Sequence, residues 1–268
     1  MRSFLIVCAR LTNLSKMSSY KLVMIRHGES EWTNQNLFCG WYDSQLSEQG
    51  HKDAIEAARL LVETGMKFDV VFTSLLSRAV CSAKAILDEL DQKQIPIEKA
   101  WQLNERHYGH LTGMNKEKAV EQYGYKQVQL WRRSFDILPP PMSKDHFCYD
   151  VIADYFKKFG DEIHVPEVES LKTTMERVVP YWRATIAPCI LSGKNVLIVS
   201  HGTVLRSLIK HIEGISDSEI TNINVPTAIP FIYEFNSELK PQKPKTFLGD
   251  QDKLELSIKR TASITRSK

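Results

Sequence analysis

Two short unbroken apolar runs, Leu22-Val23-Met24-Ile25 and Val196-Leu197-Ile198-Val199, each end in a polar residue, a histidine and a glycine. Runs without polar alternation suit strands buried on both faces, as in parallel sheets covered by helices. The stretches between them supply the helices. Ser47 is placed to cap a helical pattern through Ala54, Ile55, Ala58, Leu61 and Val62, with Gly65 at its end. Phe68-Asp69-Val70-Val71-Phe72 reads as a further strand, followed by Thr73-Ser74 and a helix to about Leu90. Another helix begins near Lys116. Residues 171–191 return to helix, with Pro180 and Pro188 set to kink or divide it. A helix through Leu205, Leu208, Ile209 and Ile212 follows His201-Gly202, and residues 229–235 form one more strand. This alternation predicts an α/β fold: a largely parallel central sheet with helices on both faces.

Between these elements lie a rigid Pro139-Pro140-Pro141 segment and residues 143–169, aromatic-rich and without period, which read as a long irregular insertion. Three units are expected: an extension at 1–16, a catalytic domain at 17–250, and a loosely held polar tail at 251–268. The extension carries Arg2, Arg10 and Lys16 with no acid and a short apolar stretch, a faint transit-peptide character, while Met17 opens a natural start.

Composition narrows the functional classes. A hydrophobic content of 43% over 268 residues suits one sizeable globular domain. A net charge of +3 is too small to imply a nucleic-acid partner and fits a local anion pocket equally well. The cysteines (Cys8, Cys39, Cys81, Cys148, Cys189) are scattered, without a C-x-x-C pair, which points to a reducing, cytoplasmic location and away from a disulfide framework or zinc site. No apolar run approaches the length of a membrane span, so no membrane partner is expected.

In parallel sheets ligands bind outside the carboxyl ends of the strands. Arg26-His27-Gly28, Thr73-Ser74 and Ser200-His201-Gly202 stand there. Glycine after each histidine permits close approach of backbone to ligand, and a following helix start offers free N–H groups to an anion. Two imidazoles at one edge can divide the roles of nucleophile and charge stabiliser. Arg78, Arg132, Arg133, Arg26 and Lys116 would surround them with positive charge, and arginine's fork of donors matches phosphate oxygens. Taken singly, each arginine is a surface ion-pair residue and each histidine a hydrogen-bonded residue at the sheet edge. Glu105, in Leu103-Asn104-Glu105-Arg106-His107-Tyr108-Gly109, is a candidate acid or base.

These residues, together with Phe38-Cys39-Gly40-Trp41-Tyr42-Asp43, Phe72-Thr73-Ser74, Leu111-Thr112-Gly113, Trp131-Arg132-Arg133-Ser134 and Phe247-Leu248-Gly249-Asp250, occur in an order that resembles the 2,3-bisphosphoglycerate-dependent phosphoglycerate mutases of the histidine phosphatase superfamily. The resemblance runs from about Tyr20 to Asp250. It implies that His27 forms a phosphohistidine, that His201 stabilises charge on the transferring group, and that Glu105 is the acid/base. Arg26 and Arg78 match phosphoryl ligands, while Tyr108, Lys116, Arg132 and Arg133 match groups holding the carboxylate and second phosphate. Ser30, Thr33, Cys39, Gly40, Gly202 and Thr203 complete the implied substrate site. The implied substrates are 3-phosphoglycerate and 2-phosphoglycerate, with 2,3-bisphosphoglycerate as primer, no metal, and a homodimer or homotetramer as the assembly.

Ser30, Gly40 and Thr112 look like the mutase branch; the bisphosphoglycerate-synthesising branch tends to have Gly and Ser at the first two positions. Synthase and phosphatase activities are implied as side reactions. The sequence departs from the pattern at Thr33, where the family usually has Asn, at Thr203-Val204, where it usually has Asn-Ser, and across 143–169. Two other functional classes compete: a silent homologue that only binds phosphorylated metabolites, and a phosphatase that passes the phosphoryl group to water. Incorporation of label at His27 separates the first from an enzyme, and phosphate release outrunning isomer formation would identify the second.

Overall fold

The computed structural model describes residues 20–263. The expectation for residues 1–16 lies outside them. In chain order the strands are β1 (Tyr20–Arg26), β2 (Val70–Thr73), β3 (Ile97–Lys99), β4 (Val196–Ser200), β5 (Phe231–Phe235) and β6 (Thr246–Phe247). The helices are α1 (Glu31–Asn34), α2 (Glu48–Val62), α3 (Ser77–Glu89), α4 (Lys116–Tyr123), α5 (Tyr125–Arg133), α6 (Tyr149–Lys157), α7 (Leu171–Tyr181), α8 (Ala187–Leu191), α9 (Gly202–Glu213) and α10 (Gln251–Ala262).

The strands form one sheet in the order β3-β2-β4-β1-β5-β6. Pairings β2–β3, β2–β4 and β1–β4 are parallel, while β5 and β6 add an antiparallel edge. The unbroken apolar runs are explained by what covers them. Leu22, Met24, Phe72, Val196 and Ile198 face a core shared with Val178, Trp182 and Ile186 and with Leu205, Leu208 and Ile209. Val23, Ile25, Val71, Leu197 and Val199 face the other way, onto Ala54, Ala57, Ala58 and Leu61 of α2 and Ala83, Ile86 and Leu87 of α3. Each fully buried Val, Leu or Ile contributes roughly 1.5–3 kcal/mol, so both faces are strongly specified.

From β1 the chain leaves toward β2 through α2 on one face; from β4 it leaves toward β5 through α9 on the other. The carboxyl ends of the adjacent strands β1 and β4 therefore bound a topological switch point. Parallel register sets Arg26 beside Ser200, and the His27 N–H continues the ladder by donating to Ser200 O at 2.9 Å. The turn after β1 packs backbone against backbone on α2. A methyl group at Gly28 would come within 2.2 Å of Gly50 O, and one at Gly50 within 2.0 Å of Glu29 O.

Three parts of the sequence reading need correction. Residues 143–169 are not wholly irregular: α6 forms there, and Ile152 and Phe156 join Trp41, Leu75, Leu76, Met142 and Cys148 in a satellite core. The segment from 251 is not a loose tail as far as Ala262, because Asp250 caps α10 by accepting from the Lys253 N–H. The predicted end of α2 at Gly65 falls instead at Glu63. Ser47 does cap α2, accepting from the Gly50 N–H. The helix of 171–191 is divided as expected, with Pro180 in the last turn of α7 and a π-helical turn over Trp182–Ile186 before α8.

Gly50→Ala is expected to destabilise the protein by about 1–3 kcal/mol, the usual cost of forcing atoms into a packed interior. Urea unfolding should show a lower midpoint with an unchanged slope.

Candidate active site

His27 follows β1 directly and is almost fully buried. Its Nδ1 lies 2.6 Å from Gly28 O. A carbonyl can only accept, so Nδ1 carries the proton and Nε2 keeps its lone pair. That is the tautomer a nucleophilic imidazole requires. Burial, then Arg78 and Arg26, hold His27 well below the ordinary imidazole value. His201 stands beside it after β4, with ring centroids 4.9 Å apart at 63°. Its Nε2 lies 2.7 Å from Ser74 Oγ, at the end of β2, and its buried Nδ1 has no partner among the described residues. Burial, then Arg78 and His27, hold His201 low as well. All three strand ends singled out in the sequence thus meet at one point.

Arg78 sits in the first turn of α3 and is buried. Its guanidinium donates to Tyr42 O at 2.9 Å and Gly40 O at 2.8 Å. Asp43 in turn accepts from the Ser77 N–H and hydroxyl, both at 2.6 Å, and so caps α3. The Gly40-Trp41-Tyr42-Asp43 motif is therefore a bracket that fixes Arg78. Gly40 has φ +55°, and a Cβ there would press on Arg106 O and Tyr108 N at 3.2 Å.

Glu105 lies on an irregular segment after β3 and lines the cleft. Its Oε1 accepts from its neighbour Arg106 N at 2.7 Å and from Thr203 N, at the start of α9, at 3.2 Å. The carboxylate therefore spans from its own loop to a helix N-terminus beside His201.

Arg106 and Arg206 were not assigned to the site from sequence, yet both are buried with a nitrogen that has no partner among the described residues. Arg106 donates to Arg132 O, and Arg206 to Arg133 O and Ile220 O. They grip the C-terminal carbonyls of α5, which carries the Arg132–Arg133 pair. Their signal was visible in hindsight: Arg106 sits inside the Glu105 motif, and Arg206 interrupts an apolar helix face. Burial, then Arg132 and Arg206, push Arg133 down to about 8. Burial, then Arg106, pushes Arg206 to about 10. Guanidinium groups stay charged near neutrality, so this crowding is an unmet demand for negative charge. Carbonyl oxygens at the end of α10 occupy some of the donors without removing that demand: Arg133 donates to Thr261 O at 2.7 Å, and Arg132 to Thr261 O and Ser263 O at 3.3 Å.

Of the residues expected in the site, Arg26, His27, Thr33, Cys39, Gly40, Arg78, Glu105, Tyr108, Lys116, Arg132, Arg133, Gly202 and Thr203 line a single cleft of about 1200 Å³. His201 stands just behind its wall. Ser30 does not line it: it is fully buried as the N-cap of α1, with its side chain accepting from the Thr33 N–H. Thr33 reciprocates in that cap, its hydroxyl accepting from the Ser30 N–H at 2.7 Å. The hydroxyl at this departure from the family pattern is thus held in the turn. Among the described residues no group of three or more His, Cys, Asp or Glu is arranged to hold a metal ion, and no helix is long and apolar enough to cross a membrane.

A profile of the family described as histidine phosphatase superfamily (branch 1) matches residues 22–150 and 149–240. Among solved structures, a mycobacterial glucosyl-3-phosphoglycerate phosphatase with VO3 has a TM-score of 0.61 at 20% identity, covering 80% of this chain and 92% of that one. An alpha-ribazole phosphatase from Shigella flexneri gives 0.57 at 24%, over 85% and 94%. A Bacillus stearothermophilus protein gives 0.60 at 20%, over 85% and 93%. At these identities the likeness concerns the fold alone.

Imidazole ¹⁵N spectra should show His27 neutral with the proton on Nδ1 as pH falls through 6.5, its ordinary value. Protonation with a midpoint at 6.5 would contradict the buried, arginine-flanked geometry. The unfolded chain takes up a proton there that native His27 refuses, so this residue removes stability as pH falls below 6.5.

Proposed function

Because the chain belongs to the histidine phosphatase superfamily, we propose that it is a phosphoglycerate mutase primed by 2,3-bisphosphoglycerate, interconverting 3-phosphoglycerate and 2-phosphoglycerate. The observation that carries this reading is a cleft lined by many cationic groups around and beyond the nucleophile. Arg26, Arg78 and His201 surround the nucleophile His27, while Tyr108, Lys116, Arg132 and Arg133 line the same cleft. A substrate anionic at both ends suits such a site. Arg26, Arg78 and Arg206 line the cleft and each has a buried nitrogen without a partner among the described residues, which also fits a ligand with several negative charges.

In this reading, His27 Nε2 attacks phosphorus. The N–P bond forms as the P–O bond to the sugar-acid oxygen breaks. Glu105 delivers a proton to that leaving oxygen. In the second half the phosphoryl group passes from His27 to the free hydroxyl of a monophosphoglycerate, and Glu105 takes the hydroxyl proton. Arg26, Arg78, His201 and the N-terminus of α9 stabilise the charge on the group in flight, which is the chief demand of phosphoryl transfer. Arg132, Arg133, Lys116 and Tyr108 hold the far carboxylate and second phosphate.

Hydrolysis by the same His27 is the second reading. The size of the cleft favours it, since about 1200 Å³ exceeds what a three-carbon ester fills and leaves room for water.

A coupled assay of 3-phosphoglycerate conversion, run with and without 2,3-bisphosphoglycerate and with chelator present, tests the proposal. Chelator-resistant isomerisation stimulated by the bisphosphate is expected; phosphate release without isomerisation would move the protein to the hydrolytic reading. His27→Ala should abolish turnover with the fold intact. Glu105→Gln should lower kcat by about 10²–10⁴-fold with a smaller change in KM, and a pure affinity loss would remove its acid/base role.

A further inference from the structure

The segment that carries Glu105 has no regular hydrogen-bonding pattern of its own, so its backbone groups need outside partners. Most come from one buried ion pair. Arg177, on α7, donates from Nε to Glu169 Oε1 at 2.7 Å and from Nη2 to Glu169 Oε2 at 2.9 Å. The same Nη2 donates to Glu105 O at 3.0 Å, and Nη1 to Gln102 O at 2.7 Å. Glu169 completes the bracket, its Oε2 accepting from the His107 N–H and its own N–H donating to His107 O, both at 2.8 Å. The side chains of both residues are more than nine-tenths buried, and neither lines the cleft. Trp41 lies beneath the guanidinium, 5.4 Å from its carbon to the ring centroid.

We propose that Glu169 and Arg177 are positioning residues for Glu105, setting the place of the acid/base through its backbone from behind. The inference rests on the acid/base reading of Glu105 given above. Every backbone atom the pair grips belongs to residues 101–107, Trp101 O included, so the pair sets where the Glu105 Cα stands relative to His27 and the leaving oxygen. Proton transfer requires a heavy-atom separation of about 2.6–3.2 Å, and a displacement of about 1 Å at such a site costs on the order of 10²-fold in rate. A pair that served stability alone would have no reason to discriminate between substrates.

Leaving-group chemistry separates these roles. When His27 displaces an alkoxide from 2,3-bisphosphoglycerate, the departing oxygen must receive the Glu105 proton. When it displaces 4-nitrophenolate from 4-nitrophenyl phosphate, the oxygen leaves as a stable anion and no proton is needed. The quantity to measure is kcat/KM for phosphoryl release from each compound, since it reports the steps up to phosphohistidine formation. Arg177→Lys keeps a charge opposite Glu169 and loses the fork that spans Glu105 O and Gln102 O. Glu169→Asp keeps the carboxylate and shortens its reach to the His107 N–H. Either variant should lower the alkyl-to-aryl ratio of kcat/KM by roughly tenfold or more, as Glu105→Gln should. Adding Glu105→Gln to Arg177→Lys should produce little further fall.

If Glu105→Gln lowers the ratio and both folded positioning variants keep the wild-type value, the pair is structural only and the proposal is overturned. Equal losses on both compounds in those variants would overturn it too. If Glu105→Gln itself leaves the ratio unchanged, the acid/base reading fails and the proposal with it.

Discussion

The parallel pairing of β1 with β4 is the contact on which the rest of the site depends. Arg26 lies opposite Ser200, and one more rung, from the His27 N–H to Ser200 O, carries the ladder past the end of β1. A slip of one residue would turn each strand's apolar side chains to the opposite face and separate the two imidazoles. Because both faces of the sheet are packed, that slip is heavily penalised. The 4.9 Å approach of His27 to His201 is therefore set by the hydrophobic core, with no contribution needed from a ligand.

Electrostatics then works against packing. Arg26, Arg78, Arg106, Arg132, Arg133 and Arg206 converge around Glu105, whose charge acts on both Arg26 and Arg206, while Glu29, Asp53, Glu56 and Asp250 also line the cleft. The fold tolerates this by giving the guanidinium groups backbone carbonyls in place of carboxylates: Gly40 and Tyr42 for Arg78, Val225 for Arg26, and the end of α5 for Arg106 and Arg206. Carbonyls satisfy donors without neutralising charge, so the site remains electropositive and still holds its side chains in place. Burial, and then this positive surrounding, hold both histidines well below the ordinary imidazole value, which favours a free lone pair on the nucleophile.

Much of this was legible in the sequence because its signals are local. A doubly buried strand shows as an unbroken apolar run, and Ser47 shows as a cap before a helical period. The cleft residues from Arg26 to Thr203 follow from strand ends and from the family resemblance. What escaped has tertiary causes. Residues 149–157 look aperiodic beside the mixed sequence around them, and α6 is stabilised by Trp41 and Leu75, which lie far off in the chain. α10 looks like a polar tail because one buried residue, Leu254, is its only fully inward anchor among the described residues, and its last carbonyls are held by Arg132 and Arg133. Ser30 and Thr33 were legible as polar groups near a phosphate site; that their hydroxyls serve a four-residue helix depends on backbone geometry that the residue types do not disclose.

The contact between Gly28 and Gly50 bears on how such a chain can change over generations. A side chain on Gly28 would run into the Gly50 backbone and one on Gly50 into the Glu29 backbone, and the two glycines lie on different elements, one beside the nucleophile and one at the start of α2. Any side chain at either position costs packing from its first carbon, which meets a carbonyl or its neighbours. A lineage that altered α2, a helix to which no step of the reaction is assigned, would thus carry the turn of the nucleophile along with it. The inheritance of the reactive histidine is tied to that of a structural helix through two residues that have no side chains.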